Sequence, residues 1–115
     1  MRILIAGGRD FSDYDMIYNE LRDYSEGVKT VISGGARGAD TLGERWAFDH
    51  KAEVEEYPAL WEEYGRAAGP IRNQVMLDVG IPDLVVVFPG GEGSKDMVRK
   101  ARKAGVQTLT PGWEV

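Results

Sequence analysis

The hydrophobic positions divide the chain into short apolar runs that alternate with longer segments of helical period. Runs such as RILIA and LVVVF have the length and the β-branched content that are typical of strands. Strands are predicted at residues 2–6, 28–33, 52–57, 84–88 and 106–110. They are spread over the whole chain, and a candidate helix separates each strand from the next.

The segments between the strands place apolar residues three or four positions apart, which is the period of an amphipathic helix. Ile17 and Leu21 show this spacing in the first segment, and Asp13 or Ser12 is a suitable N-cap for it. Gly105 is expected to end the last helix. Helices are predicted at 13–25, 39–50 and 94–104, and two short helices hinged at Gly69–Pro70 are predicted within 60–80.

Regular alternation of strands and helices predicts a parallel sheet, because each right-handed crossover passes over one face of the sheet. The run at 84–88 is apolar throughout and is typical of a central strand that is buried on both faces. The run at 52–57 is rich in glutamate and fits an edge strand. We therefore expect an α/β protein with a three-layer, Rossmann-like fold, in which a mainly parallel sheet of about five strands carries helices on both faces. No repeat or linker interrupts residues 1–115, so we expect a single domain.

Composition excludes several classes of function. The chain has no cysteine and one histidine, His50, which excludes disulfides, thiolate metal sites and histidine clusters. Its net charge of −5 and pI near 4.9 argue against a main role in binding a nucleic-acid backbone. No run approaches the roughly 20 apolar residues of a membrane span, and the N-terminal residues turn polar too early for a signal peptide. We expect a cytoplasmic protein without a membrane partner.

Three of the four crossover loops carry a pair of glycines close after a strand. These loops are GGRDF at 7–11, SGGARGAD at 33–40 and PGGEGSKD at 89–96. They are expected to meet at the carboxyl edge of the sheet, where such folds bind ligands. Glycine lets the backbone approach a ligand closely, and the helix that follows presents unpaired N–H groups. The pattern is typical of a phosphate site, although neither a GxGxxG fingerprint nor a P-loop is present.

Arginines accompany the glycine loops. Arg9 and Arg37 lie within two of them, and Arg66 and Arg72 flank Gly69–Pro70. In an acidic chain, this grouping favours a small anion as ligand. Arg66 is equally consistent with a solvated position on a helix.

Other conspicuous residues have ordinary structural interpretations. His50 is expected to cap a helix or to lie on the surface. Trp46, Trp61 and Trp113 are expected in the core or at subunit contacts, and not as base-stacking platforms. The basic residues of the last helix are expected to face solvent, although Lys95 in its first turn could reach a ligand.

The motifs together resemble the SLOG superfamily, and specifically its small YspA-related branch known from bacteria and phages. SGGARGAD, GPIRN and FPGGEGSKDM occur in this order, and the resemblance covers nearly the whole chain. It implies a Rossmann-like fold with a nucleotide or nucleotide-derived ligand at the carboxyl edge of the sheet. It also implies a homodimer or homotetramer, for which Trp61, Tyr64 and Trp113 are candidate contacts. No cofactor is expected, and nothing in the sequence requires a metal.

The same superfamily contains the Lonely Guy phosphoribohydrolases, which cleave the N-glycosidic bond of nucleoside 5′-monophosphates. Their signature is PGGxGTxxE with an arginine upstream. Here Arg72 takes the place of that arginine, and Ser94 takes the place of the threonine. Met97, however, occupies the position of the glutamate. Methionine cannot transfer a proton or stabilise an oxocarbenium-like sugar. Asp96 would point about 100° away around the helix, so its use would require the loop to shift. Glu92 is another carboxylate at this edge.

Three functions remain open. The first, which we favour, is binding of a nucleotide-like small molecule for sensing or sequestration. Backbone N–H groups would hold its phosphate, Arg37 and Arg72 would neutralise the charge, and Asp40 or Asp10 would contact the ribose. The predicted ligand-binding residues are Gly7, Gly8, Arg9, Asp10, Ser33, Gly34, Gly35, Arg37, Gly38, Asp40, Arg72, Asn73, Pro89, Gly90, Gly91, Gly93 and Ser94.

The second function is a phosphoribohydrolase-like activity, in which Asp96 or Glu92 is the acid/base and Arg72 orients the phosphate. The third is single-stranded DNA binding of the Smf type, against which the acidic composition speaks.

Overall fold

The computed structural model describes residues 1 to 115 and contains one parallel sheet of five strands. The strands are β1 (Arg2–Ala6), β2 (Thr30–Ser33), β3 (Glu53–Glu56), β4 (Leu84–Val87) and β5 (Gln107–Leu109). Their order in the sheet is β3-β2-β1-β4-β5, and every neighbouring pair is parallel. The predicted α/β class and the five strands are confirmed, with each strand shortened by at most two residues at either end.

Helices cover both faces of the sheet. They are α1 (Tyr14–Leu21), α2 (Ala39–Asp49), α3 (Trp61–Tyr64), α4 (Ala68–Asp78) and α5 (Glu92–Lys103). Side chains of α1 and α2, including Trp46, pack with Ile3 and Ile5 of β1. Side chains of α4 and α5, including Met97, pack with Leu4 of the same strand. Because alternate residues of a strand point to opposite faces, β1 serves both apolar clusters and the three-layer arrangement is confirmed. No helix combines the length and the apolar character that crossing a bilayer requires.

The burial of the strands follows the sequence pattern. All four residues of β4 are fully buried, as expected for a strand that lies between two others and under helices on both faces. β3 lies at an edge of the sheet, and its glutamate-rich residues are mostly exposed. The interior and edge positions predicted for these two runs are confirmed.

The prediction of a hinge at Gly69–Pro70 is wrong. Both residues lie in the first turn of α4, where N–H groups have no helical partner and proline is therefore tolerated. The break lies at Gly65, which follows α3 with a φ of +57°. A left-handed conformation at the end of a helix favours glycine, and this is the position where the chain changes direction.

Two other boundaries differ from the prediction. The helix expected at 13–25 is shorter and is followed by a 3₁₀ turn over Arg22–Tyr24. Of the two candidate caps, Asp13 accepts a hydrogen bond from Met16 N–H at 3.1 Å. α5 begins at Glu92, two residues earlier than expected, so the glycine-rich loop contributes directly to its first turn.

The three tryptophans lie in different environments. Trp46 is fully buried, as expected for a core residue, and the ring of His50 at the C-cap of α2 stacks on it with centroids 4.3 Å apart. Trp113 is half-buried, and its Nε1–H donates to Val87 O at 2.9 Å. Trp61 is 46% exposed and is not a core residue. The short helix that carries Trp61 lies on the surface, and a role of this residue in a subunit contact stays a prediction.

Candidate functional site

A cleft of about 560 Å³ opens at the carboxyl ends of β1 and β4. The chain adds β2 and β3 on one side of β1 and then adds β4 and β5 on the other, so the strand order reverses here. The loops that follow β1 and β4 leave for opposite faces of the sheet, and ligands of such folds bind in the crevice between them. The volume lies within the roughly 300–1,000 Å³ that is typical of small-molecule sites.

Some of the loop glycines allow the loops to pack against one another. Gly8 N–H donates to Pro89 O at 3.0 Å, and a Cβ on Gly8 would lie 2.7 Å from the same oxygen. A Cβ on Gly90 would lie 2.6 Å from Gly8 N, and a Cβ on Gly38 would collide with Gly8 O. Contacts within the protein therefore account for these glycines, and the close approach of the three loops depends on them.

The N-terminus of α5 is open toward the cleft. Its first helical hydrogen bond is donated by Lys95 N–H to Gly91 O at 3.1 Å, and Gly91 has no side chain that could cap the preceding N–H groups. A Cβ on Gly91 or Gly93 would meet no atom within 4 Å. Ser94, which is 7% exposed, also lines the cleft. Because unpaired N–H groups and the helix dipole both favour negative charge, residues 92–94 can bind an anion here.

Asp40, which is buried, and Arg72, which is half-buried, bring opposite charges close to Gly34. Arg72 Nη1 donates to Gly34 O at 2.9 Å, and Asp40 Oδ2 accepts from Ala36 N–H at 3.2 Å. Burial raises the pKa of Asp40 to about 6, although the Ala36 N–H and the Arg72 charge act in the opposite direction. Burial also lowers the pKa of Arg72 from its ordinary value. Neither side chain forms an ion pair within 4 Å, so the arginine charge is available to an anionic ligand.

Asn73 joins α4 to the first turn of α5. Its Nδ2 donates to Gly93 O at 3.1 Å and to Asp96 Oδ2 at 3.0 Å, and Lys100 Nζ donates to the same carboxylate oxygen at 2.9 Å. Asp96 also lines the cleft. That its use in place of the missing glutamate requires a shift of the loop stays a prediction. Met97 lines the cleft as well, although it is 1% exposed and packs in the apolar cluster with Leu4.

Exposed arginines surround the mouth of the cleft. Arg9, Arg66 and Arg99 line it. Arg37 does not; it lies 3.5 Å from the carboxylate of Asp10 and borders a smaller depression that adjoins the cleft. The predicted concentration of basic groups at this edge is thus present in the structure.

The structure separates the sequence-predicted residues into two groups. Those that line the cleft are Gly7, Gly8, Arg9, Asp10, Asp40, Arg72, Asn73, Gly91, Gly93 and Ser94, together with the candidate acid/base residues Glu92 and Asp96. Those that do not line it are Ser33, Gly34, Gly35, Arg37, Gly38, Pro89 and Gly90. In the second group, Ser33 Oγ donates to Glu44 Oε2 at 2.7 Å, so this hydroxyl serves a contact between β2 and α2. A role of either group in ligand binding stays a prediction.

Several lining residues were not predicted as part of the site. They include Trp61, Gly69, Pro70 and Met76, all from the stretch between β3 and β4. Arg99, which was expected to face only solvent, also borders the cleft. The position of Trp61 depends on the break in the chain at Gly65, and nothing in the sequence pattern indicates which way the short helix before that break turns.

Comparisons with known proteins show the family to which the chain belongs. Residues 1–64 match the family described as the YspA, cpYpsA-related SLOG family. The chain is also 36% identical, over 122 aligned positions, to the Gene 61 protein of Mycobacterium phage D29. That alignment covers 96% of this chain and 96% of the phage protein. From the match over more than half of its length, and from a relative similar along almost all of it, the chain belongs to the YspA, cpYpsA-related SLOG family.

Proposed function

We propose that the cleft binds a nucleotide or a nucleotide-derived ligand through a phosphate group, and that the protein senses or sequesters this ligand. The observation that carries the proposal is the uncapped N-terminus of α5, which has open space at Gly91 and Gly93 and borders the cleft. Free N–H groups at such a position bind phosphate well, because they donate hydrogen bonds along the positive end of the helix dipole. Membership of the SLOG family supports a nucleotide-related ligand.

The charged residues have complementary roles in this proposal. Arg72 neutralises the phosphate, since its guanidinium is partly desolvated and has no carboxylate within ion-pair distance. The carboxylate of Asp40 or Asp10 accepts hydrogen bonds from ribose hydroxyls. The exposed Arg66 and Arg99 add positive potential at the mouth of the cleft, which increases the rate at which an anion is captured.

Hydrolysis of the glycosidic bond is the second candidate, and one observation favours it. Asp96 and Glu92 both border the cleft, so a carboxylate is present beside the proposed phosphate position even though Met97 replaces the glutamate of the Lonely Guy motif. Asp96 already accepts hydrogen bonds from Asn73 and Lys100. Because these contacts occupy its carboxylate and Met97 stands at the glutamate position of the motif, we favour binding over hydrolysis.

Mass spectrometry of the small molecules that co-purify with the protein tests the proposal. Wild type, Arg72→Ala and Arg22→Ala should be compared; Arg22 is an exposed arginine that does not line the cleft and is therefore a charge-matched control. We expect an intact nucleotide in wild type and in Arg22→Ala and its loss in Arg72→Ala. Free base together with ribose phosphate would support the hydrolase instead. Equal retention by all three proteins would contradict the proposed role of Arg72.

A further inference from the structure

An exposed indole borders the cleft. Trp61 is 46% exposed and is the first residue of α3. Neither this helix nor the 3₁₀ turn that follows it, Gly65–Ala67, contains a buried residue. Core packing therefore does not account for the position of this large aromatic side chain, although it lines the cleft that is proposed to hold the ligand.

The indole ring of Trp61 packs with its edge against α4, and the guanidinium of Arg9 lies over its face. A Cβ on Gly69 would lie 3.2 Å from Trp61 Cη2, so the outer edge of the ring rests on the backbone of α4. The guanidinium carbon of Arg9 lies 5.2 Å from the ring centroid. Arg9 forms no ion pair with a carboxylate, and its contact with the indole is a cation–π interaction. Nucleobases stack on aromatic rings, including indole, and on guanidinium planes.

Trp61 lies on the side of the cleft that leads away from α5. It also borders the adjoining depression, together with Arg9, Ala36 and Arg37. No residue of α5 lines that depression. The cleft thus has an anion-binding side at α5 and an aromatic side at Trp61, which matches a molecule with a phosphate at one end and a flat aromatic group at the other.

We infer that Trp61 is the stacking surface for the base of the bound ligand, and that it makes the site select nucleoside phosphates over sugar phosphates. The inference rests on the proposed function, since the phosphate must first be held at α5. Stacking depends on the π-face that all bases share, so Trp61 favours an aromatic base in general over a ligand without one.

Isothermal titration calorimetry of variants at the stacking position tests this inference. Wild type, Trp61→Ala, Trp61→Phe and Tyr64→Ala are each titrated with AMP, GMP, CMP, UMP and ribose 5-phosphate. Tyr64 is a matched control, because it is an exposed aromatic residue on the same short helix but does not line the cleft. Light scattering on the same samples measures their mass.

Wild type and Tyr64→Ala are expected to bind at least one nucleoside monophosphate roughly 5- to 150-fold more tightly than ribose 5-phosphate, the range that corresponds to stacking of one base. Trp61→Ala should lose this preference and keep its affinity for ribose 5-phosphate, and Trp61→Phe should retain most of the preference. An unchanged preference in Trp61→Ala would overturn the inference and leave the phosphate site intact. If that variant instead changed the mass of the particle, Trp61 would be a subunit contact. If wild type bound none of the five compounds, the proposed function would fail together with the inference.

Discussion

Replacing Asp40 by asparagine is expected to stabilise the ligand-free protein at neutral pH. Asp40 is 6% exposed, and its burial raises the pKa to about 6, a value that already includes the attraction of Arg72. In an unfolded chain, an aspartate has a pKa of about 3.9. Asparagine has the same shape and can still accept the hydrogen bond from Ala36 N–H, which spans 3.2 Å. The substitution therefore removes the buried charge and little else.

The sign and size of the effect follow from proton binding. Between about pH 4 and pH 6, the folded protein keeps a proton on Asp40 that the unfolded chain has released. The free energy of unfolding of wild type therefore falls as pH rises through this window, and the loss is complete above the folded pKa. At 1.36 kcal/mol per pKa unit, the whole loss is roughly 3 kcal/mol. A little under half of it, roughly 1.3 kcal/mol, falls between pH 5 and pH 7.

Urea unfolding at pH 5 and pH 7 measures this effect. The free energy of unfolding of Asp40→Asn relative to wild type should increase by about 1 kcal/mol or more between the two pH values. Asp10→Asn is the control, since Asp10 lines the same cleft but its side chain is 97% exposed, so this substitution removes no buried charge. A constant difference between Asp40→Asn and wild type would refute the assignment of a buried, proton-binding carboxyl group to Asp40.

Three further expectations concern stability and assembly. Gly8→Ala should lower the free energy of unfolding by about 1–3 kcal/mol, because its Cβ would lie 2.7 Å from Pro89 O. Gly91→Ala is the control and should change the free energy of unfolding by less than about 0.5 kcal/mol, since its Cβ would meet no atom within 4 Å. Similar losses for both variants in urea unfolding would contradict the loop packing described above. Trp113→Phe should cost about 1–2 kcal/mol in thermal unfolding, because the carbonyl of Val87 loses its donor, and an unchanged melting temperature would show that water replaces the bond. Light scattering at micromolar concentration should give two or four times the chain mass of 12.7 kDa, and a monomer mass would remove the expected homo-oligomer.

The alternation of strands and helices could be predicted because each apolar run has a distinct physical cause. The residues of β4 are apolar throughout because both of its faces are covered, and those of β3 are charged because it lies at an edge. The position of the cleft followed from the topology, since the glycine loops come after strands whose carboxyl ends meet at one edge. This part of the prediction required only local pattern and general rules of chain connection.

The course of the stretch 60–80 could not be predicted in the same way. α4 buries Met76 and Leu77 but leaves Ile71 and Val75 exposed, so apolar residues occur on both of its faces and the helical period is blurred. Its boundaries, and with them the position of the helix that carries the indole of the site, depend on tertiary contacts.

The contacts that each glycine of the loops makes could also not be predicted from the sequence. Gly8 and Gly93 belong to similar double-glycine motifs, yet the first is packed against another loop and the second faces open space. The burial of Asp40 likewise depends on how its helix, α2, packs in the fold. The residues next to Asp40 in the sequence do not predict this burial.

Substitution of Gly93 by aspartate tests whether the N-terminus of α5 binds the phosphate of a nucleotide. A Cβ at this position would meet no atom within 4 Å, so the added side chain starts in open space. Replacing a helical glycine and placing a carboxylate in the first turn should stabilise the helix by about 1 kcal/mol. The same carboxylate would repel a phosphate bound at residues 92–94, which at 4 Å costs about 1–4 kcal/mol.

The measurement is calorimetric titration of wild type, Gly93→Ala and Gly93→Asp with the four nucleoside monophosphates at low salt. We expect wild type and Gly93→Ala to bind at least one of them, and Gly93→Asp to bind it at least about tenfold more weakly while unfolding at a higher temperature. Equal affinities of the alanine and aspartate variants, or no binding by wild type, would contradict phosphate binding at the N-terminus of α5.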